Sequence, residues 1–212
     1  LVAQVAESRH TRVRLISQVE RALSGYAPSD DLRWLLSLTW KAVFTTNYDG
    51  AIEECYRLNP NPTQSPVVVA ANSDFRNWNP LFEVPIFHLH GSLGGEEKSA
   101  ILITQKDYAE FRSRRQMLFD HFRLSFAGTP ILYFGYSNRD PNWQMVTGEV
   151  RAEYSPSEPP PSFRIDPETP ALEREILAGQ GITTLDGRLG DFRAAVEMAL
   201  GEFRVEPSRL DS

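Results

Sequence analysis

Two short stretches concentrate side chains capable of chemistry: Thr45-Thr46-Asn47-Tyr48-Asp49 and His88-Leu89-His90-Gly91-Ser92. Each closes an apolar run of strand type, Ala42-Val43-Phe44 in the first case and Ile86-Phe87 in the second. In an open parallel sheet, ligands bind just beyond the carboxyl ends of the strands. An amide and a carboxylate at one such end and an imidazole at another are therefore expected to form two walls of one active site. Histidine as a residue type titrates near neutrality and serves as a general base, a role worth roughly 10²- to 10⁴-fold in rate. Structural duties compete for the same residues. Asp49 suits a helix N-cap, Asn47 suits a turn, and His88 shares a strand face with His90 by the period of two and reads as a core or wall residue.

The elements that must carry these residues follow from pattern. Residues 2–24 lack Pro and Gly and place Val2, Val5, Val13, Ile16, Val19 and Leu23 at helical intervals. A second helix is expected over 30–39, capped by Ser29 or Asp30, then a buried strand over 42–46 and a helix over 51–58. Glu53 and Glu54 there favour the positive end of the helix dipole. A strand over 66–71, an aromatic-rich loop over 72–85 and a strand over 86–89 come next. Thr104 caps a helix expected to reach about residue 126, and the strand 131–134 ends in Gly135-Tyr136-Ser137. Asp140-Pro141 opens a helix to about 151, and the Pro-rich stretch 155–161 is an exposed connection. Strands over 163–165 and 182–185 bracket a helix over 170–178, and a helix over 192–203 closes the chain. This order implies an α/β layered fold with a largely parallel sheet.

With 212 residues and 41% hydrophobic content the chain suits one domain, a helical part over 1–40 followed by a core over 41–204. It begins at Leu1 and reads as a piece of a longer product. No run approaches the roughly 20 apolar residues of a membrane span, and no signal pattern opens it, so a soluble cytoplasmic protein is expected. A net charge of -6 argues against direct nucleic-acid binding, and Arg112, Arg114 and Arg115 read as a solvated helix face. The single Cys55 excludes a disulfide framework and a four-thiolate zinc site, and reads as a small core residue. The pair His88-x-His90 would need further metal ligands from later strands; only His121 follows, in a helical stretch, so no metal is expected.

Phe44-Thr45-Thr46-Asn47-Tyr48-Asp49, His88-Leu89-His90-Gly91-Ser92 and Phe134-Gly135-Tyr136-Ser137-Asn138-Arg139-Asp140-Pro141 occur in that order, each at a strand end. From about residue 32 to residue 186 the chain resembles the SIR2-like family, relatives of the sirtuins that include bacterial NAD-consuming defence proteins. The resemblance implies a Rossmann-like three-layer fold, with a mostly parallel sheet and helices on both faces. It also implies NAD as substrate, cleaved between nicotinamide and ribose. By the same resemblance Asn47 holds the nicotinamide-side ribose and orients the attacking group, and His90 is the catalytic histidine. Thr46 and Asp49 are then NAD contacts, Gly135 and Ser137 approach the dinucleotide, and Asp166 contacts ribose or adenine. Such cleavage builds positive charge on the ribose, where an amide oxygen helps most in the transition state.

Two departures refine the expectation. The family opens with a strand and a Gly-Ala-Gly-x-Ser loop that takes the pyrophosphate at a helix N-terminus; these 212 residues hold no such loop, the first glycines being Gly25 and Gly50. Either that segment lies outside this chain or the dinucleotide is bound differently. The deacylating sirtuins carry a zinc module with four Cys ligands, and this chain has one Cys, so water rather than acetyl-lysine becomes the expected acceptor. The expectation is an NAD+ glycohydrolase releasing nicotinamide and ADP-ribose, free or cyclic, as the effector of a bacterial antiphage system. A homo-oligomer or larger defence assembly is expected with it. The alternative is a catalytically silent SIR2-like scaffold that docks a partner.

Overall fold

The computed structural model describes residues 11–94, 101–136 and 140–204, with backbone only at 111–113 and 202–204. It divides into two compact units, Leu1–Leu124 and Ser125–Ser212.

In the first unit, α1 (Arg12–Leu23) and α2 (Asp30–Ser37) precede β1 (Val43–Thr45), α3 (Ala51–Leu58), β2 (Ser65–Val69) and β3 (Glu83–His88). The expected start of α1 at residue 2 lies outside the described residues. Of the two cap candidates, Ser29 rather than Asp30 caps α2, its hydroxyl accepting the Leu32 N–H at 3.2 Å. The strands form one parallel sheet in the order β1-β3-β2, with Val43 opposite Ile86 and Thr45 opposite His88.

Because β3 is central, it is apolar almost throughout: Val84, Ile86 and Phe87 are fully buried. Val84 and Ile86 pack with Leu36, Cys55 and Tyr56 from α2 and α3. Phe87 stacks on Phe44 at 5.0 Å and meets Trp78 and His121 edge-on. Burying such a side chain contributes about 1.5–3 kcal/mol. Cys55 belongs to this core, as expected, and burial pushes its thiol up to about 11. The β2–β3 connection carries no α-helix. A 3₁₀ turn, Asn72–Asp74, stands there instead, with the Asp74 carboxylate accepting the Ala70 and Ala71 N–H groups at 2.8 Å each.

Two helices follow, α4 (Gln105–Ala109) and α5 (Phe111–Gly128), where sequence suggests one long helix. Inside α5, Arg115 leaves helical geometry at φ -137° and ψ 21°. The unit boundary falls within α5.

The second unit alternates strictly: β4 (Ile131–Phe134), α6 (Pro141–Tyr154), β5 (Ser162–Asp166), α7 (Ala171–Ala178), β6 (Ile182–Asp186) and α8 (Leu189–Arg204). Its sheet is parallel in the order β4-β5-β6. Asp140 caps α6 by accepting from the Asn142 and Trp143 amides at 2.8 and 3.1 Å, with Pro141 in the first turn. Parallel sheets flanked by helices make this a Rossmann-like α/β fold. No helix among the described residues is long and apolar enough to cross a membrane.

Candidate functional site

Past their last paired residues, β1 and β3 stay zipped together. The Leu89 N–H donates to the Thr45 carbonyl at 2.9 Å and the Leu93 N–H to the Tyr48 carbonyl at 2.8 Å. The paired register ends at Thr45 opposite His88, so Asn47 and His90 each lie two residues beyond that last pair.

Asn47 is exposed. Its main chain is held at both ends, the N–H donating to Thr45 Oγ1 at 3.0 Å and the carbonyl accepting from His88 Nδ1 at 3.1 Å. Its side-chain amide makes no hydrogen bond among the described residues. Thr46 is half-buried beside it. Asp49 serves the start of α3, but one position earlier than a cap: Gly50 is the capping residue, and Asp49 Oδ1 accepts the Ala51 N–H at 3.1 Å.

His90 is held through its ring. It is 5% exposed, its Nδ1 lies 3.3 Å from the Tyr108 hydroxyl, and the two rings meet edge-on at 5.2 Å. Tyr108 stands on α4, whose start is clamped by Thr104 and Asp107. The Asp107 carboxylate accepts from the Ile103 amide (3.1 Å), from the Thr104 amide and hydroxyl (2.8 Å each) and from Arg12 Nη1 (2.8 Å). Burial pushes the Asp107 carboxyl up, but the Thr104 N–H, Arg12 and the remaining donors outweigh it, so it rests below the usual carboxylate range.

The expected shared face of His88 and His90 does not exist. β3 ends at His88, and the Gly91 N–H returns to the His88 carbonyl at 2.9 Å, closing a turn. Gly91 takes φ 90° there, a conformation open to glycine and costly for other residues. The turn sends His90 to Tyr108, while His88 Nε2 reaches Glu53 Oε1 at 2.6 Å. A metal using the His88-x-His90 pair would need both rings on one side. No group of three or more His, Cys, Asp or Glu side chains able to hold a metal occurs among the described residues.

Nor is the basic run a solvated face. Arg114 pairs with Glu110 at 2.9 Å at the surface, whereas Arg115 is buried, its Nη1 donating to the carbonyls of Ala70 and His88. That reach across the strand ends accounts for the break in α5. The Arg112 side chain lies outside the described residues.

In the second unit Gly135 ends β4 at φ 60°, exposed, with open space where a Cβ would stand. Ser137 lies outside the described residues. Asp166, at the end of β5, accepts the Glu168 N–H at 3.0 Å and pairs with Arg164, and these contacts hold its carboxyl below the usual range.

Sequence reasoning missed Glu53, Tyr108 and Arg115 as parts of this arrangement. A partial signal exists: Glu53 and Tyr108 each lie one helical turn beyond a residue recognisable as a cap, Asp49 and Thr104.

Comparison with known proteins adds two findings. The family model for the SIR2-like domain matches residues 41–185. The NAD(+) hydrolase ThsA of Enterococcus faecium is 27% identical over 124 residues, which are 58% of this chain and 25% of ThsA. The chain thus spans about a quarter of the length of the curated relative it matches.

Proposed function

The chain belongs to the SIR2-like domain family, and from that premise we propose that it is an NAD+ glycohydrolase, cleaving the bond between nicotinamide and ribose. The observation that supports this reading is the pairing of β1 and β3, whose last partners, Thr45 and His88, stand two residues before Asn47 and His90. As the bond breaks, its electron pair passes to the nicotinamide nitrogen and neutralises it, and C1′ of the ribose becomes cation-like. The unengaged Asn47 amide oxygen stabilises that charge, an interaction that strengthens in the transition state. Water adds to C1′ and gives its proton to His90. The products are nicotinamide, ADP-ribose and a proton. The uncovered Gly135, at a positive φ that glycine adopts without strain, suits close approach of a dinucleotide to the backbone, and Thr46, Asp49, Ser137 and Asp166 are its further proposed contacts.

The relative ThsA, by its printed name an NAD(+) hydrolase, supports the same reading. Action as the NAD-depleting effector of an antiphage defence system, in a homo-oligomer or larger assembly, is part of the proposal. One observation favours the second reading, a silent scaffold: these residues contain no Gly-Ala-Gly-x-Ser loop for the pyrophosphate. Incubation with NAD, of this chain and of an N-terminally extended form, decides between the two. Nicotinamide should appear, and Asn47→Ala and His90→Ala should each lower its rate roughly 10²-fold or more. Intact NAD with both forms, or release indifferent to both substitutions, overturns the catalytic assignment.

A further inference from the structure

His88 is completely buried at the end of β3, on the same strand parity as Val84 and Ile86. A buried imidazole is tolerable only if its nitrogens find partners. Here they find two partners from two other segments: the Asn47 carbonyl at 3.1 Å from Nδ1 and Glu53 Oε1 at 2.6 Å from Nε2. The ring thereby ties the end of β3 to the loop after β1 and to the first turn of α3. The main chain of His88 is fixed as well, its carbonyl accepting from the Gly91 N–H at 2.9 Å and from Arg115 Nη1 at 3.3 Å. Together with the Thr45 hydroxyl on the Asn47 N–H, this grips Asn47 entirely through its backbone. Its side chain is left exposed, with its amide uncommitted among the described residues.

The geometry points to His88 and Glu53 as positioning residues for Asn47: Glu53 orients the imidazole, and the imidazole N–H fixes the Asn47 carbonyl so that its amide faces the ribose. This rests on the reading of Asn47 as the ribose-side catalytic group. Neither residue touches substrate. The direction of the bond is forced, since a carbonyl only accepts. The proton must sit on His88 Nδ1, and the hydrogen bond between Nε2 and Glu53 then holds one further proton, carried by either partner.

Amide substitutions separate positioning from mere filling of buried space. Asparagine places an NH₂ where Nδ1 stood, and glutamine places one where Nε2 stood. His88→Asn therefore keeps the bond to Asn47, and His88→Gln keeps only the bond to Glu53. In the protein carrying the NAD-cleaving activity, His88→Gln is expected to lower kcat about 10- to 100-fold with KM within about twofold, and His88→Asn to recover most of that loss. Equal loss in the two variants, or the opposite order, would overturn the proposal.

A measurement on the unsubstituted chain needs neither a folded variant nor activity. Nitrogen-15 spectra of the His88 ring should show a proton on Nδ1, slow to exchange and coupled to the Asn47 carbonyl carbon. A bare Nδ1 removes the bond and the inference with it. If the unsubstituted protein leaves NAD intact while the Nδ1 proton is found, the glycohydrolase reading fails and the hold on the Asn47 backbone stands. If NAD is cleaved and Nδ1 is bare, the reverse holds.

Discussion

Asn47 and His90 are fixed by opposite means, and the difference makes their proposed functions separable from their structural duties. Asn47 is exposed and anchored through its backbone, so removing its amide touches no hydrogen bond among the described residues. Asn47→Ala should therefore leave stability within about 0.5 kcal/mol of the parent in urea unfolding while nicotinamide release collapses. A comparable loss of stability would reassign Asn47 to a structural role. Gly91 presents the reverse case. It sits at φ 90°, and a Cβ there would lie 2.7 Å from Arg115 Nη2 and 3.0 Å from the Ile101 Cα. Gly91→Ala combines a strained dihedral with a backbone collision and should cost about 1–3 kcal/mol. Because the collision displaces the guanidinium that holds the His88 carbonyl, activity should fall with it. An unfolding midpoint equal to the parent's would show that the turn has room to spare.

At the scale of elements, local signals were legible wherever they were local in origin. The Ser29 cap, the α3 span Ala51–Leu58, the strand Ile131–Phe134 and the Asp140-Pro141 start of α6 all stand as their residues dictate. What sequence could not show depends on tertiary reach. The period of two put His88 and His90 on one face because nothing local announces that β3 stops at His88. The long helix expected after Thr104 is interrupted at Glu110 and again at Arg115, where the guanidinium reaches the carbonyls of Ala70 and His88; in sequence it is only one of several arginines. That Asn47 and His90 both follow the ends of paired strands was legible from pattern. The His88–Glu53 link beneath them was not, since it depends on α3 lying against β3.

The α4 clamp gives a prediction at this same scale. Asp107 is held below its ordinary carboxyl range in the fold, so its ionised form is the one that the native state favours. That contribution is complete above the unfolded-state value of about 3.9 and is lost as the pH falls through the lower native value. The parent should thus lose urea resistance as the pH falls below about 4, and Asp107→Asn, already weakened at neutral pH, should show a shallower decline there. Parallel acid slopes in the two proteins would mean that the Thr104 and Arg12 contacts do not govern this carboxyl.

On the scale of the whole molecule, two units each carry a parallel sheet of three strands. A net charge of -6 spreads over the chain. That balance predicts little general attraction for phosphate backbones, so duplex DNA at about 0.15 M salt should give no mobility shift at micromolar protein. A shift that weakens with salt would reveal a basic surface that the summed charge conceals. Assembly is accessible to sedimentation, where a concentration-independent monomer would count against the proposed oligomer.

The chain's lone sulfhydryl, Cys55, is 2% exposed and its thiol is pushed up to about 11. Near neutral pH only about one in ten thousand such groups is the reactive thiolate. Maleimide reagents should therefore pass over it, and one cysteine engineered at the surface becomes an unambiguous attachment point. Fluorophores or spin labels can then be set beside Asn47 without first constructing a cysteine-free background.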